Sequence, residues 1–174
     1  MSDLTLAQLV AILPYSRPRA ATFLAPLNAA MREYGINTPA RQASFLSQVG
    51  HESGSLAYVR ELASGAAYEG RRDLGNTQPG DGVRFKGRGL IQVTGRANYA
   101  ACGKALGLDL LAKPELLEQT VNACRSAGWF WQSKGLNSLA DAGDQVAVTR
   151  RVNGGTNGLA ERLAMFTVAK RVLA

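Results

Sequence analysis

Two glutamates nine positions apart, Glu52 and Glu61, are the side chains best suited to acid–base chemistry in this chain. A carboxylic acid that gives a proton to a leaving oxygen, paired with a carboxylate that takes one from water, can break a glycosidic bond. With inversion, the two groups stand roughly 6.5–9.5 Å apart, leaving room for the water. Glu52 follows the chain's one histidine in His51-Glu52-Ser53-Gly54, and a glycine-dense segment beyond Glu61 ends at Gly87-Arg88-Gly89-Leu90-Ile91-Gln92-Val93-Thr94. There Gln92 and Thr94 offer an amide and a hydroxyl, groups that suit sugar hydroxyls and a positioned water. A solvated edge strand is the alternative reading of the same pattern.

The elements around these residues decide whether they can meet. Thr38-Pro39 is a helix start, a capping hydroxyl followed by a proline whose missing donor costs nothing at the first position. The spacing then predicts a helix in which Phe45, Val49 and Glu52 share one face, at about 100° per residue. Gly54 stops it and leaves Glu52 in the last turn. An apolar surround and the negative helix end both favour a protonated carboxyl there, as a proton donor requires. A glutamate at a frayed helix end is the competing reading. If the helix ran on, nine residues would turn about 900° and carry Glu61 roughly 13 Å away to the opposite face. Pairing therefore requires a chain break, which Gly54-Ser55 offers. Leu90 to Thr94 reads as a short strand with Gln92 and Thr94 on one side.

The remainder reads as helix. Segments are expected at Leu4–Leu13 with Ser2 or Asp3 as cap, Arg19–Tyr34 with Pro26 inside, and Ala97–Leu106. Others are expected at Pro114–Lys134, Asp144–Val152, and Gly158–Leu173 capped by Asn157. Phe130 and Trp131 are assigned to the core. Turn signals at Gly75-Asn76, Pro79-Gly80 and Asp81-Gly82 mark irregular backbone between Ser64 and Gly89.

Other chemistries are set aside on spacing. His51-Glu52 begins like a zinc-protease motif, but the position four beyond His51 is Ser55, so the second ligand is missing and no metal is expected. His51 reads as a hydrogen-bonding support for its neighbours. There is neither a P-loop nor a G-x-S-x-G elbow. Cys102 and Cys124 belong to no CxxC pair and read as buried apolar groups, with a bridge between them left open. No cofactor is expected. A net charge of +7 favours anionic partners such as nucleic acid or a cell envelope. The basic residues are dispersed, without the concentrated face of a nucleic-acid binder. No apolar run is long enough to span a membrane. The N-terminal run ends at Pro14 and carries Asp3 where a signal would be basic, so no signal peptide is expected. The length suits one domain, residues 1–174.

Laid out in order, His51-Glu52-Ser53-Gly54, Glu61, Gly80-Asp81-Gly82, Phe85-Lys86-Gly87-Arg88-Gly89-Leu90-Ile91-Gln92-Val93-Thr94-Gly95-Arg96, Tyr99 and Asn153-Gly154-Gly155 resemble chitinase-like glycoside hydrolases of family 19. They are most similar to the bacteriophage endolysins of that group. The resemblance implies a mainly α (α+β, lysozyme-like) fold, two helical lobes flanking a cleft with a short β or irregular segment, forming one catalytic domain. It implies Glu52 as general acid and Glu61 as the base that activates water. Gln92 and Thr94 would hold that water and the substrate, Tyr99 and Asn153 would line the sugar sites, and His51 and Arg162, the latter matching a basic residue of the final helix, would complete the substrate-binding set. Arg88 would support the cleft structurally. Between Glu61 and Gly80 the chain is shorter than some such endolysins, and Glu61-Leu62-Ala63-Ser64 departs from the pattern after the base, so Glu69 competes for that role. The resemblance further implies action on the β-1,4 bonds of peptidoglycan glycan strands, with a chitinase of the same family as the nearest alternative and a basic nucleic-acid-binding protein as the alternative from another class. A monomer is the simplest expectation, and neither a nucleic acid partner nor stable membrane insertion is expected. It would wait in the host cytoplasm for a holin lesion before reaching the wall from the periplasm.

Overall fold

The computed structural model describes residues 2–174, and its centre is the helix that carries Glu52. α1 (Leu6–Ile12), α2 (Ala20–Glu33) and α3 (Pro39–Glu52) come first. A long irregular stretch follows, with short 3-10 turns at Ala66–Tyr68 and Arg72–Leu74 and a single helical turn, α4 (Asp81–Arg84). Then come α5 (Arg96–Leu106), a 3-10 turn at Pro114–Glu118, α6 (Thr120–Ser133), α7 (Leu136–Asp141), α8 (Gln145–Asn153) and α9 (Leu159–Leu173). The fold is mainly helical and two-lobed, as expected. The large core gathers Leu9, Leu27, Met31, Phe45, Leu46, Val49, Trp131, Val148 and Phe166, while a smaller one gathers Phe85, Val93, Tyr99, Cys102, Leu106, Leu110 and Leu117. Trp129 of α6 packs against both cores.

Thr38 caps α3 by accepting from the Arg41 amide at 3.2 Å, with Pro39 at the first position. Phe45, Leu46 and Val49 are fully buried, and so are Ser44, Ser47 and Gln48 on other sides of the helix. α3 is thus enclosed rather than amphipathic. Its polar positions are paid for by hydrogen bonds to α8: the Gln48 amide donates to Thr149 Oγ1 (3.1 Å), and the Gln145 amide donates to Ser44 Oγ (2.7 Å). Such pairing is what lets buried polar groups persist. Gly50 allows close approach of the N-terminal segment, since a Cβ there would lie 2.4 Å from Leu13 Cδ2.

Several boundaries differ from the sequence expectations for local reasons. Thr5, not Ser2 or Asp3, caps α1 through a reciprocal bond with Gln8. The helix expected from Pro114 to Lys134 breaks at Gln119, whose backbone is extended, and restarts as α6. Gly158 rather than Asn157 occupies the cap of α9. The strand expected at Leu90–Thr94 does not form. Two isolated bridges, Arg60 to Arg88 and Arg88 to Val93, take its place, and the residues between fold as a turn. Among the described residues no helix is long and apolar enough to cross a membrane.

Candidate active site

α3 ends within its own sequence. The Ser53 hydroxyl donates to Val49 O at 2.6 Å and accepts from the Leu56 amide at 2.9 Å, while the Ser55 amide reaches Gly50 O at 2.8 Å. Gly54, Ser55 and Leu56 all have positive φ, of 56°, 56° and 68°, which only glycine adopts without cost. The two side chains there are held by burial, Leu56 being almost wholly enclosed. The Tyr58 amide then donates to Ser53 O at 3.0 Å, so the chain has doubled back on the end of α3. Glu61 lies three residues further on, within about 10 Å of extended chain from Tyr58. The break that pairing requires is present.

Glu52 sits half-buried at the last position of α3. Its Oε1 accepts from Arg162 Nη2 at 2.5 Å. The side chain of Arg162 is 2% exposed and donates also to Gln48 Oε1 (2.6 Å) and Asn157 O (3.0 Å). The apolar surround expected for Glu52 is therefore replaced, on one oxygen, by a buried cation. The other oxygen has no hydrogen bond among the described residues. Arg162 was expected to touch substrate; it is enclosed, and what it touches is the carboxylate and the Gln48 amide that orient it.

His51 is half-buried, with Nδ1 3.4 Å from Glu161 Oε2. It packs against Gly158, where a Cβ would fall 2.3 Å from the ring, so the start of α9 can lie directly on the histidine. Asn153, the last residue of α8, is half-buried and accepts the Asn157 amide at 3.3 Å. Around the end of α3 the fold therefore gathers His51, Glu52 and Arg162, with Asn157 tying in Asn153.

Glu61 is reached from the other lobe. Its amide donates to Gly87 O at 2.9 Å, and the Gly89 amide donates to Val59 O at 2.8 Å. Its Oε2 accepts from the Tyr68 hydroxyl at 2.8 Å, while Oε1 is buried without a partner. Gln92 lies over Gly87, where a Cβ would meet its Oε1 at 2.6 Å. A single glycine thus joins Glu61 through its carbonyl to Gln92 through its bare Cα. Gln92 and Thr94 line a cavity of about 280 Å³ together with Leu74, Asn98, Trp129, Phe130 and Lys134. Asn98, Trp129 and Lys134 carry no site signal in the sequence, and Phe130, expected in the core, also lines this cavity.

The competitor Glu69 is committed elsewhere. Its two oxygens accept the amides of Gly80 and Gly82, each at 2.8 Å, so it fastens the glycine-rich segment. Tyr99 is a correction. It was expected to line a sugar site, but it is fully buried, with its hydroxyl donating to Lys86 O and accepting from Arg88 Nη1 at 3.0 Å. Burial pushes its phenol far up, so it stays protonated as that donor. Arg88 also binds Glu118 Oε2 (3.0 Å) and Arg84 O (2.8 Å), in keeping with the structural role expected of it. Both cysteines are free and buried, and burial pushes each thiol up to about 12.

The family model described as chitinase class I, of glycoside hydrolase family 19, matches residues 35–173. The chain belongs to that family. It is a glycoside hydrolase by membership. A Haemophilus influenzae protein described as containing a glycosyl hydrolase family 19 domain is 31% identical over 172 residues, spanning 80% of this chain and 84% of that protein. An endochitinase of Arabidopsis thaliana is 41% identical over 114 residues, 65% of this chain but only 39% of that longer protein. Chitinase C of Streptomyces griseus superposes with a TM-score of 0.78 at 26% identity, over 97% of this chain and 76% of that one. A second bacterial family 19 chitinase gives 0.81 at 24% identity over 98% and 94%, a likeness of fold alone.

Proposed function

We propose that the chain, residues 1–174, is one catalytic domain that hydrolyses β-1,4 bonds in the glycan strands of bacterial peptidoglycan by single displacement with inversion. Glu52 gives its proton to the leaving oxygen. Water attacks the anomeric carbon from the opposite face, and its proton goes to Glu61. Gln92 and Thr94 orient water and sugar, and Asn153 and His51 border the acid. The observation that carries this reading is the pair of unlike carboxylates. One is held by Arg162 at the end of α3, and the other, brought back by the return at Ser53–Tyr58, is held by the Tyr68 hydroxyl.

Peptidoglycan is favoured by the endolysin-like motif run and by the +7 charge, which draws the protein to an anionic envelope through attraction that salt screens. In that role the protein works as a monomer. It stays in the host cytoplasm until a holin lesion admits it to the wall. Chitin is the second reading, favoured by the endochitinase relatives and the chitinase folds. Purified peptidoglycan and chitin oligosaccharides, each digested by wild type, Glu52→Gln and Glu61→Gln, separate these. Reducing ends released from peptidoglycan by wild type alone support the proposal. Release from chitin only moves the substrate, and full activity in Glu52→Gln removes the mechanism.

A further inference from the structure

The glycine-rich segment between Ser64 and Gly82 is unusually well fastened for irregular backbone, and what it holds is a tyrosine. Asn76 Nδ2 donates to Tyr68 O at 2.9 Å, while Asn76 Oδ1 accepts the Arg96 amide at 2.8 Å, tying the segment to the start of α5. Glu69, the next residue, is clamped to Gly80 and Gly82. Gly65 lies so close to Gly82 O that a Cβ would meet it at 2.5 Å. The Arg71 guanidinium stands 5.9 Å from the centroid of the Tyr68 ring. These contacts fix the ring, and the ring's hydroxyl points to one place, Glu61 Oε2, at 2.8 Å.

We propose that Tyr68 is the positioning residue for the base: its hydroxyl holds Glu61 Oε2 and so fixes the plane in which the carboxylate meets the attacking water. This rests on the reading of Glu61 as that base. A carboxylate has several acceptor sites and, untethered, rotates among them. Tethering one oxygen to a neutral donor fixes the plane of the group without neutralising it. The donor must keep its own proton. The hydrogen bond to Glu61, then burial, raise the Tyr68 phenol above its ordinary range, so it does.

Tyr68→Phe removes the hydroxyl and keeps the ring. A hydrogen bond to a charged group lost at the reacting step corresponds to about 10- to 100-fold in kcat, with KM within about threefold. A role in folding alone lowers Tm and leaves the kcat of the folded enzyme unchanged. Installing 3-fluorotyrosine at residue 68 alone returns the donor and restores kcat to within about threefold of wild type. Wild-type kcat in Tyr68→Phe, with Glu61→Gln inactive, overturns the role of Tyr68 and leaves that of Glu61 standing. Wild-type turnover in Glu61→Gln overturns both.

Discussion

Replacing Arg162 by methionine, which keeps most of the length and removes the charge, separates what this residue does for the fold from what it does for the site. In the wild type three acceptors share its guanidinium: Gln48 Oε1, Asn157 O and Glu52 Oε1. They do not lose equally. Asn157 is exposed and rehydrates, and the Glu52 side chain is 23% exposed, so water recovers part of its loss. Gln48 is fully buried, and its orphaned oxygen bears the full cost of desolvation. The total is about 2–4 kcal/mol, below the 3–5 typical of a wholly buried ion pair broken on one side. For a domain of this size that lowers Tm by roughly 5–12 °C. Adding Gln48→Leu removes that orphan and recovers part of the loss, the remainder staying with the buried Thr149 hydroxyl that loses the Gln48 amide. It does not restore Glu52, which has lost its one protein hydrogen bond, so kcat stays about 10- to 100-fold down in both variants. Melts followed by circular dichroism, with initial rates taken below every midpoint, give both readings. Arg162→Met with Tm within 2 °C and kcat within threefold of wild type would show that Arg162 supports neither the fold nor Glu52, and an activity that returns with the stability in the double variant would show that it supports the fold alone.

Three further outcomes follow from the same geometry. Gly87→Ala sets a Cβ 2.6 Å from Gln92 Oε1, the flexible end of a side chain. Gln92 moves aside at a stability cost of about 1 kcal/mol or less, while kcat falls several-fold in the reducing-end assay. Glu69→Gln keeps one acceptor and sets an amide donor against the other backbone N–H. Tm drops by about 2–4 °C for about 1 kcal/mol, with kcat within threefold, and a loss as deep as that of Glu61→Gln would move the base to Glu69. The Arg96 guanidinium, helped by the Gln78 amide, holds the Asp81 carboxyl below its usual range. That contribution is complete above the unfolded value of about 3.9 and is lost as pH falls through the lower folded value. Tm should therefore fall more steeply below about pH 4 in wild type than in Asp81→Asn, and parallel curves would count against the pair.

What the sequence made legible was local. Thr38-Pro39 and Gly54 mark the two ends of α3, and the spacing of Phe45, Val49 and Glu52 gives its phase, because caps and periodicity are decided within a few residues. The need for a break between Glu52 and Glu61 follows from helix geometry alone. What stayed hidden depends on distant partners. Arg162 meets Glu52 across 110 positions, and nothing near either residue announces the pair. Ile91 and Val93 carry strand-like alternation, yet pairing passes through Arg88 alone, so a turn forms. Tyr99 matches a motif tyrosine, but a tyrosine whose hydroxyl has partners can be buried entirely, and motif matching does not distinguish that from a cleft wall. The Ser64–Gly82 segment reads as irregular backbone from its turn signals, and nothing local shows that Asn76 and Glu69 fasten it.

If Glu52 and Glu61 act on opposite faces of one sugar with water between them, the anomeric form of the newly made reducing end, read by proton NMR before mutarotation, reports it. Inversion at a β-linked bond predicts that the α-anomer appears first; initial accumulation of the β-anomer would contradict it.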